Sequence, residues 1–180
     1  KDAVTATSGA IGSTAASGDV TLDAVTATTG AINITANTGD IDVGATTAGS
    51  TIILSAQDID LAGKVDATTT AMLTATVGNV SSTGALEIEG SAVTVSGPIL
   101  AATDATITAT ATDATLDAVT ATTGAVSITA NTGNIDVGAT TAACTIRMFS
   151  HDIEPAEKED QNTTARHTSK DCHIASDSAS

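Results

Sequence analysis

The chain has 180 residues, with 21 acidic and six basic side chains, a formal net charge of −15 and a single aromatic residue, Phe149. So few basic residues exclude a surface that could replace the counterions of nucleic acid, and the lack of aromatic platforms excludes stacking on bases. No apolar run approaches the roughly 20 residues that a membrane-spanning helix needs, and no signal-peptide pattern is recognisable.

The chain repeats itself from its first residues onward. Residues 2–11 recur with one substitution 21 positions later, and residues 23–52 recur at 117–146 with 25 of 30 positions identical, an offset of 94. Apolar pairs recur about 20 residues apart, for example Ile32/Ile34 and Ile52/Leu54. We therefore predict a structural unit of about 20 residues and expect the offset of 94 to span five such units.

Within each unit, apolar and polar side chains alternate, as at residues 32–36 and 41–43. This period of two is typical of short strands, which the abundant Thr, Val and Ile also favour. Glycines separate the strands, among them Gly30, Gly39, Gly124 and Gly133. We expect these glycines to adopt the positive φ that a tight corner requires.

The length of the unit favours a coil over a sandwich of hairpins, because a sandwich usually builds its core on large aromatic residues, which residues 1–148 lack. If each unit makes one circuit, like strands stack in parallel around a thin apolar interior. Connections between parallel strands are nearly always right-handed. We therefore predict an all-β fold, a right-handed parallel β-helix (solenoid) with circuits of about 20 residues. Residues 2–146 would make about seven circuits, a rod on the order of 35 Å long.

The alternation also predicts which residues fill the interior. Ten residues in the two long copies should point inward: Val25, Ile32, Ile34, Ile41, Val43, Val119, Val126, Ile128, Ile135 and Val137.

The repeat pattern fades near residue 150. All 15 glycines lie before residue 139, whereas residues 147–180 hold all three histidines and four of the six basic residues. At the offset of 94, Met72 and Leu73 become Arg166 and His167, and burying such charges unpaired would cost several kcal/mol each. We predict a β-helix over residues 1–150 that stops near Ile153, followed by a poorly ordered, polar acidic tail or cap over 151–180.

The run TGAINITANTGDIDVGATTAGSTIILSAQDIDLAGKV (residues 29–65) resembles the repeat shaft of the filamentous haemagglutinin family of bacterial secreted and surface adhesins. The resemblance covers residues 1 to about 150. It implies a shaft without catalysis or cofactor on the bacterial cell surface, an outer-membrane secretion partner, and contact with a receptor or glycan on a host or neighbouring cell. The Asn-Pro motifs of that family's secretion domain are not found here, so we expect the chain to be a segment of a larger polypeptide.

Acidic residues offer one alternative, a cation-binding face. Candidate calcium ligands recur 18 to 21 residues apart: Asp19, Asp40, Asp42, Asp58 and Asp60. Stacked carboxylates repel one another, and Ca²⁺, which prefers several oxygen ligands, could relieve that repulsion. The glycine-rich nonapeptide of dedicated calcium coils is absent, and a solvated acidic face explains the same residues without a metal.

Threonine pairs offer a second alternative, a flat face of the kind some β-solenoids use to bind ice. The pairs are Thr5/Thr7, Thr26/Thr28 and Thr120/Thr122. Such a face needs an uninterrupted row. Steps of about 20 residues from Thr26/Thr28 lead to Thr46/Thr47, then Thr68, then Glu87/Glu89, whose carboxylates should break the row.

We expect no enzymatic activity. Glu87 and Glu89 lie two positions apart on one predicted strand, but nothing nearby in the sequence would raise the pKa of one or hold a sugar. Cys172 and His173 have no second pair of ligands at zinc-finger spacing, and the sequence gives no geometric reason for a disulfide between Cys144 and Cys172.

Overall fold

The computed structural model describes residues 2–150, together with the strand backbones at 152–155, 167–169 and 174–178. Its strands are short and follow one another around a three-sided coil. We number turns by groups of three strands, so that turn 1 comprises the first three. Alternating residues and β-branched side chains explain why almost every segment between corners is extended.

The strands of turns 1 to 4 are β1 (Val4–Ala6), β2 (Ile11–Ala15), β3 (Val20–Leu22), β4 (Val25–Ala27), β5 (Ile32–Ala36), β6 (Ile41–Val43), β7 (Thr46–Ala48), β8 (Ile52–Ala56), β9 (Ile59–Leu61), β10 (Val65–Ala67), β11 (Thr70–Ala75) and β12 (Val80–Ser82). Those that follow are β13 (Leu86–Gly90), β14 (Ala92–Ser96), β15 (Ile99–Ala101), β16 (Ala105–Ala109), β17 (Ala114–Leu116), β18 (Val119–Ala121), β19 (Val126–Ala130), β20 (Asn134–Val137), β21 (Thr140–Ala142), β22 (Ile146–Ser150), β23 (Asp152–Pro155), β24 (His167–Ser169) and β25 (Ile174–Ser178).

Every third strand belongs to the same sheet, and the described strand pairs are all parallel. Sheet A begins with β1, sheet B with β2 and sheet C with β3, and the three sheets form the three sides of the coil. The prediction of an all-β parallel β-solenoid is confirmed, with about seven turns of about 21 residues.

The core is one continuous apolar column that runs inside the three sheets. The ten residues predicted to point inward are all buried, and none is more than 1% exposed. Isoleucine, valine, leucine and alanine at alternate strand positions fill most of the interior, together with Met148, Thr46 and Thr140 and without any aromatic side chain. Each turn therefore buries its apolar face only by stacking on its neighbours.

The expectation that the copies at an offset of 94 lie five turns apart is wrong. Val25 lies on β4 in sheet A, whereas its counterpart Val119 lies on β18 in sheet C. The copies are 14 strands apart, which is four and two-thirds turns. The same sequence thus lies on different sides of the coil, although its inward residues stay inward.

Strand lengths show where this shift arises. In turns 1 to 4 the strand of five or six residues lies in sheet B, and in turns 6 and 7 the five-residue strand lies in sheet A. Turn 5 carries a five-residue strand in both sheets, β13 and β14. The three sides are built from similar strand-and-corner units. The same repeat sequence can therefore form one side of the coil in the first copy and another side in the second.

The predicted reason for the corner glycines is also wrong. Positive φ occurs in the described residues only at Gly9, Gly18 and Gly97, not at Gly30, Gly39, Gly124 or Gly133. A side chain is excluded at these four because a Cβ would overlap the turn below, as at Gly30, where the carbonyl oxygen of Gly9 occupies that position. Close stacking of corners, not backbone conformation, requires glycine here.

The prediction for residues 151–180 lies mostly outside the described residues. Within that segment, the structure describes three strand backbones that pair in parallel with the turn before: β23 with β20, β24 with β21 and β25 with β22.

Candidate functional site

Three of the five candidate calcium ligands lie in one column at the corner that precedes sheet C. The backbone N–H of Asp40 donates to Asp19 Oδ1 (3.0 Å), that of Asp58 to Asp40 Oδ1 (3.1 Å) and that of Asn79 to Asp58 Oδ1 (2.6 Å). Each carboxylate therefore accepts a backbone hydrogen from the next turn. The column supplies hydrogen bonds at a corner, where the strand ladder is interrupted.

The other two candidates, Asp42 and Asp60, lie on the outward face of sheet C. They are register neighbours on β6 and β9, so two carboxylates stack directly. The next position in the column is Ser81, whose hydroxyl donates to Asp60 Oδ1. Both aspartates border a shallow open groove, together with Leu61, Ala62, Ser82 and Thr83.

The structure thus divides the calcium candidates between two neighbouring columns. Within residues 2–150 it brings together no group of three His, Cys, Asp or Glu side chains that could hold a metal ion. Asp136, the counterpart of Asp42, faces outward from β20 in sheet B, since the second copy is turned by one side. Calcium binding by these aspartates stays an untested alternative.

The threonine pairs do not form one continuous row. On sheet A, Thr5, Thr26 and Thr47 stack in register, but Asp66 and then Glu89 follow in the same column. Thr120 lies on sheet C instead, between Leu100 and Thr141. The predicted interruption by carboxylates is therefore present, and it begins one turn earlier, at Asp66.

Two positions of the expected threonine row have other roles. Thr46 points inward and is fully buried, as is its counterpart Thr140. The Thr46 hydroxyl donates to the carbonyl oxygen of Gly44 at 3.2 Å, a local bond that satisfies the buried group. Thr68 lies at a corner, where its hydroxyl donates to the carbonyl oxygen of Ala48 in the turn below (3.2 Å).

Hydroxyl bonds of this last kind recur, and the sequence did not predict them. Corner threonines donate to carbonyl oxygens one turn earlier, as in Thr76 to Ala56, Thr110 to Gly90, Thr123 to Ala102 and Thr132 to Ala111. Asp104 and Asp113 accept backbone hydrogens of the next turn, from Ala125 and Asn134. A signal for these acceptors was present in the sequence: Asp104 and Asp113 directly precede the first inward residues of β16 and β17.

Lys64 is the centre of the largest ionic cluster among the described residues. Its Nζ lies 2.6 Å from Glu89 Oε2, 3.1 Å from Glu87 Oε1 and 3.7 Å from Asp66 Oδ2. The hydrogen bond to Glu89, helped by Glu87 and Asp66 and opposed by partial burial, raises the pKa of Lys64 above its ordinary value. Glu87 and Glu89, the acid pair considered for catalysis, are thus held by a cation in the turn below.

Cys144 is half-buried, with its Sγ 3.7 Å from Thr145 Oγ1. The structure does not describe the side chains of Cys172 and the three histidines. The predictions on zinc and on a disulfide therefore stay untested. A helix with the length and hydropathy needed to cross a bilayer is not found in the described part of the chain.

Comparison of the chain with protein-family models, with curated proteins and with solved structures finds no match.

Proposed function

We propose that the chain is a shaft segment of an exported bacterial surface protein of the filamentous haemagglutinin type, which acts as a stiff, adhesive rod and catalyses no reaction. The observation that carries this proposal is the repetition of one three-sided turn about seven times around an unbroken apolar core. A coil of this kind gives length at constant thickness, which is what a spacer requires.

Stiffness has two sources in this rod. Parallel strand ladders join each turn to the next on all three sides. The corners add side-chain bonds in both directions, because threonine hydroxyls donate to the turn before and aspartates accept from the turn after. The net charge of −15 makes neighbouring rods repel one another, which favours separate projecting rods over aggregates.

The absence of a catalytic site is part of the proposal, and the basic residues support it. In residues 2–150 only Lys64 and Arg147 are basic, and three carboxylates surround Lys64. A polysaccharide lyase or hydrolase would need acids and bases placed around a cleft. By resemblance, an outer-membrane secretion partner would export the rod, and its faces or a distal tip would contact a receptor or glycan on another cell.

The test is to locate the chain on intact bacteria of its source. Antibodies raised against the purified chain should label unpermeabilised cells with gold particles that stand away from the outer membrane. A cytoplasmic protein should be labelled only after permeabilisation. Labelling that requires permeabilisation would contradict the proposal of a surface shaft.

Adhesion is tested separately with beads. Beads that carry the purified chain are expected to bind host or neighbouring bacterial cells more strongly than beads carrying an acidic protein of similar charge. Surface labelling without bead binding would support the role of the chain as a spacer and would contradict an adhesive role of its faces.

A further inference from the structure

Strand pairing in sheet A is shortest between turns 4 and 5. β10 and β13 share only two register pairs, Val65 with Ile88 and Asp66 with Glu89. The other described junctions of sheet A have three to five register pairs. The step from Val65 to Ile88 is 23 residues, the longest between register partners within residues 2–150 of this sheet. We call this junction the β10–β13 joint.

The joint lies where the long strands shift from sheet B to sheet A. The strands before it follow the short, long, short order of turns 1 to 4, and β13 is the first long strand of sheet A. A three-residue strand is therefore stacked against a five-residue strand. Leu86 and Glu87 of β13 lie before the start of β10, so this junction has fewer paired residues than its neighbours and gains less from backbone hydrogen bonds.

Charge would also push the joint apart if Lys64 were absent. Asp66 and Glu89 are direct register neighbours on the outward face, and Glu87 lies on the same face of β13. Like charges placed directly opposite each other on adjacent strands are destabilising. Lys64 comes from turn 4 and contacts both glutamates of turn 5.

We propose that the β10–β13 joint is an ionic joint, held closed by Lys64 and sensitive to salt, at which the rod opens locally before its other sheet A junctions do. Turns 4 and 5 stay joined by the core, by five register pairs between β11 and β14 and by three between β12 and β15, so that only the sheet A side is weak. A single exposed ion pair contributes little. Removal of this lysine has a larger effect, because it leaves three carboxylates without a cation across the shortest ladder of the sheet.

Hydrogen exchange of the wild-type chain tests the position of the joint. In about 20 mM salt, we expect amides of β10 and β13 to exchange several-fold faster than those of β7 and β16, the flanking strands of the same sheet. In about 0.5 M sodium chloride this difference should grow, since salt screens the attraction between Lys64 and the glutamates. Equal exchange in all four strands, or no response to salt, would overturn the proposal.

Lys64→Gln tests the role of the lysine, and its expected salt response has the opposite sign. At low salt, β10 and β13 should exchange on the order of tenfold faster than in the wild type. Added salt should then slow exchange, because it screens repulsion among the three carboxylates. The triple variant Lys64→Gln/Glu87→Gln/Glu89→Gln should return to within about threefold of the wild type, because most of the repulsion is gone.

Arg147→Gln is the matched control, since it removes one positive charge from the outward face of sheet A at β22. It should leave exchange at β10 and β13 unchanged. An equal acceleration in this control would show that net charge, rather than the joint, is responsible and would overturn the proposal. Should Lys64→Gln fail to fold, the salt response of the wild type and the exchange of the triple variant decide the question.

Discussion

Ile128 lies inside the coil on β19, between its register neighbours Ile107 on β16 and Met148 on β22. Its side chain is 0% exposed. We expect Ile128→Asp to lower the free energy of unfolding by at least about 3 kcal/mol, because an unpaired carboxylate would lose its hydration in an apolar interior. Thermal denaturation followed by circular dichroism at neutral pH measures the effect.

Thr129, the next residue on the same strand, provides the control. It faces outward and stacks between Thr108 and Phe149. Thr129→Asp should shift the melting temperature much less than Ile128→Asp, since the carboxylate stays in water. Similar losses for both substitutions would contradict the inward and outward assignment of this strand.

Glycine at the corners is explained by close stacking, and this explanation can be separated from one based on φ. In Gly30→Ala the new methyl group would meet the backbone of Gly9 and Ala10, neither of which can move without disturbing turn 1. We expect a loss of about 1–3 kcal/mol, typical of overpacking. Urea denaturation of this variant and the wild type gives the difference.

Gly84→Ala is the comparison for this substitution. Gly84 lies in the corner before β13, where a Cβ would meet nothing within 4 Å and φ is not positive. Alanine there should leave stability unchanged or raise it slightly, by reducing the freedom of the unfolded chain. A loss at Gly84 as large as at Gly30 would mean that stacking is not the reason.

At the scale of strands and corners, successive turns are joined by backbone and side-chain bonds together. Many corner amides donate to a backbone carbonyl of the turn before, as Thr69 does to Ser50 (3.2 Å), whereas the N–H of Asn79 donates to a side chain. Aspartates that directly precede a strand accept backbone hydrogens from the next turn, and corner threonines donate to the previous one. Side chains thereby add to the stacking contacts at these corners.

Removal of one such carboxylate should therefore have a measurable cost. Asp58→Ala removes the acceptor for the backbone N–H of Asn79, and we expect a loss of about 1 kcal/mol, as for a helix N-cap. That corresponds to a melting temperature roughly 2–4 °C lower for a chain of this size. Asp58→Asn should lose less, because the amide oxygen can still accept. Asp136→Ala, an exposed strand position, is the control and should change little.

The same bonds lead us to expect no calcium site in the aspartate columns. Asp19, Asp40 and Asp58 already accept backbone hydrogens. Asp42 and Asp60 form a stacked pair, and among the described residues no third acidic ligand lies close enough to complete a site. Ca²⁺ usually takes six to eight oxygen ligands. Calorimetric titration with Ca²⁺ should show no saturable heat and no rise in melting temperature. Stoichiometric binding that is lost in Asp42→Asn/Asp60→Asn would contradict this expectation.

For the molecule as a whole, the period of two predicted the strands and the inward residues, and the repeat predicted a parallel coil. The offset of 94 could not reveal the side on which each copy lies, because five units of about 19 residues and 14 strands of about seven fit it equally well. The lysine cluster was also missed. Lys64 and Glu89 are 25 residues apart, and only the register of β10 against β13 brings them together.

The placement of one sequence on different sides of the rod implies that the sides are interchangeable. The copies at 23–52 and 117–146 differ at five positions, and their inward residues are identical except for Ile32, whose counterpart is Val126. Replacing residues 117–146 by the sequence of 23–52 introduces Ile for Val126, Asn for Ser127, Asp for Asn134, Gly for Ala143 and Ser for Cys144. Only the first adds volume to the core, a single methylene group.

We expect this exchanged chain to fold with a melting temperature within about 12 °C of the wild type, because overpacking by one methylene costs about 1–3 kcal/mol at most, at roughly 2–4 °C per kcal/mol, and the other four changes leave the apolar interior intact. Its far-ultraviolet circular dichroism should be unchanged. A second variant that carries only Val126→Ile measures the effect of the added methylene group without the other four substitutions. If the exchanged chain unfolds while Val126→Ile is stable, each side of the coil requires its own sequence, and the interchangeability of the three sides is wrong.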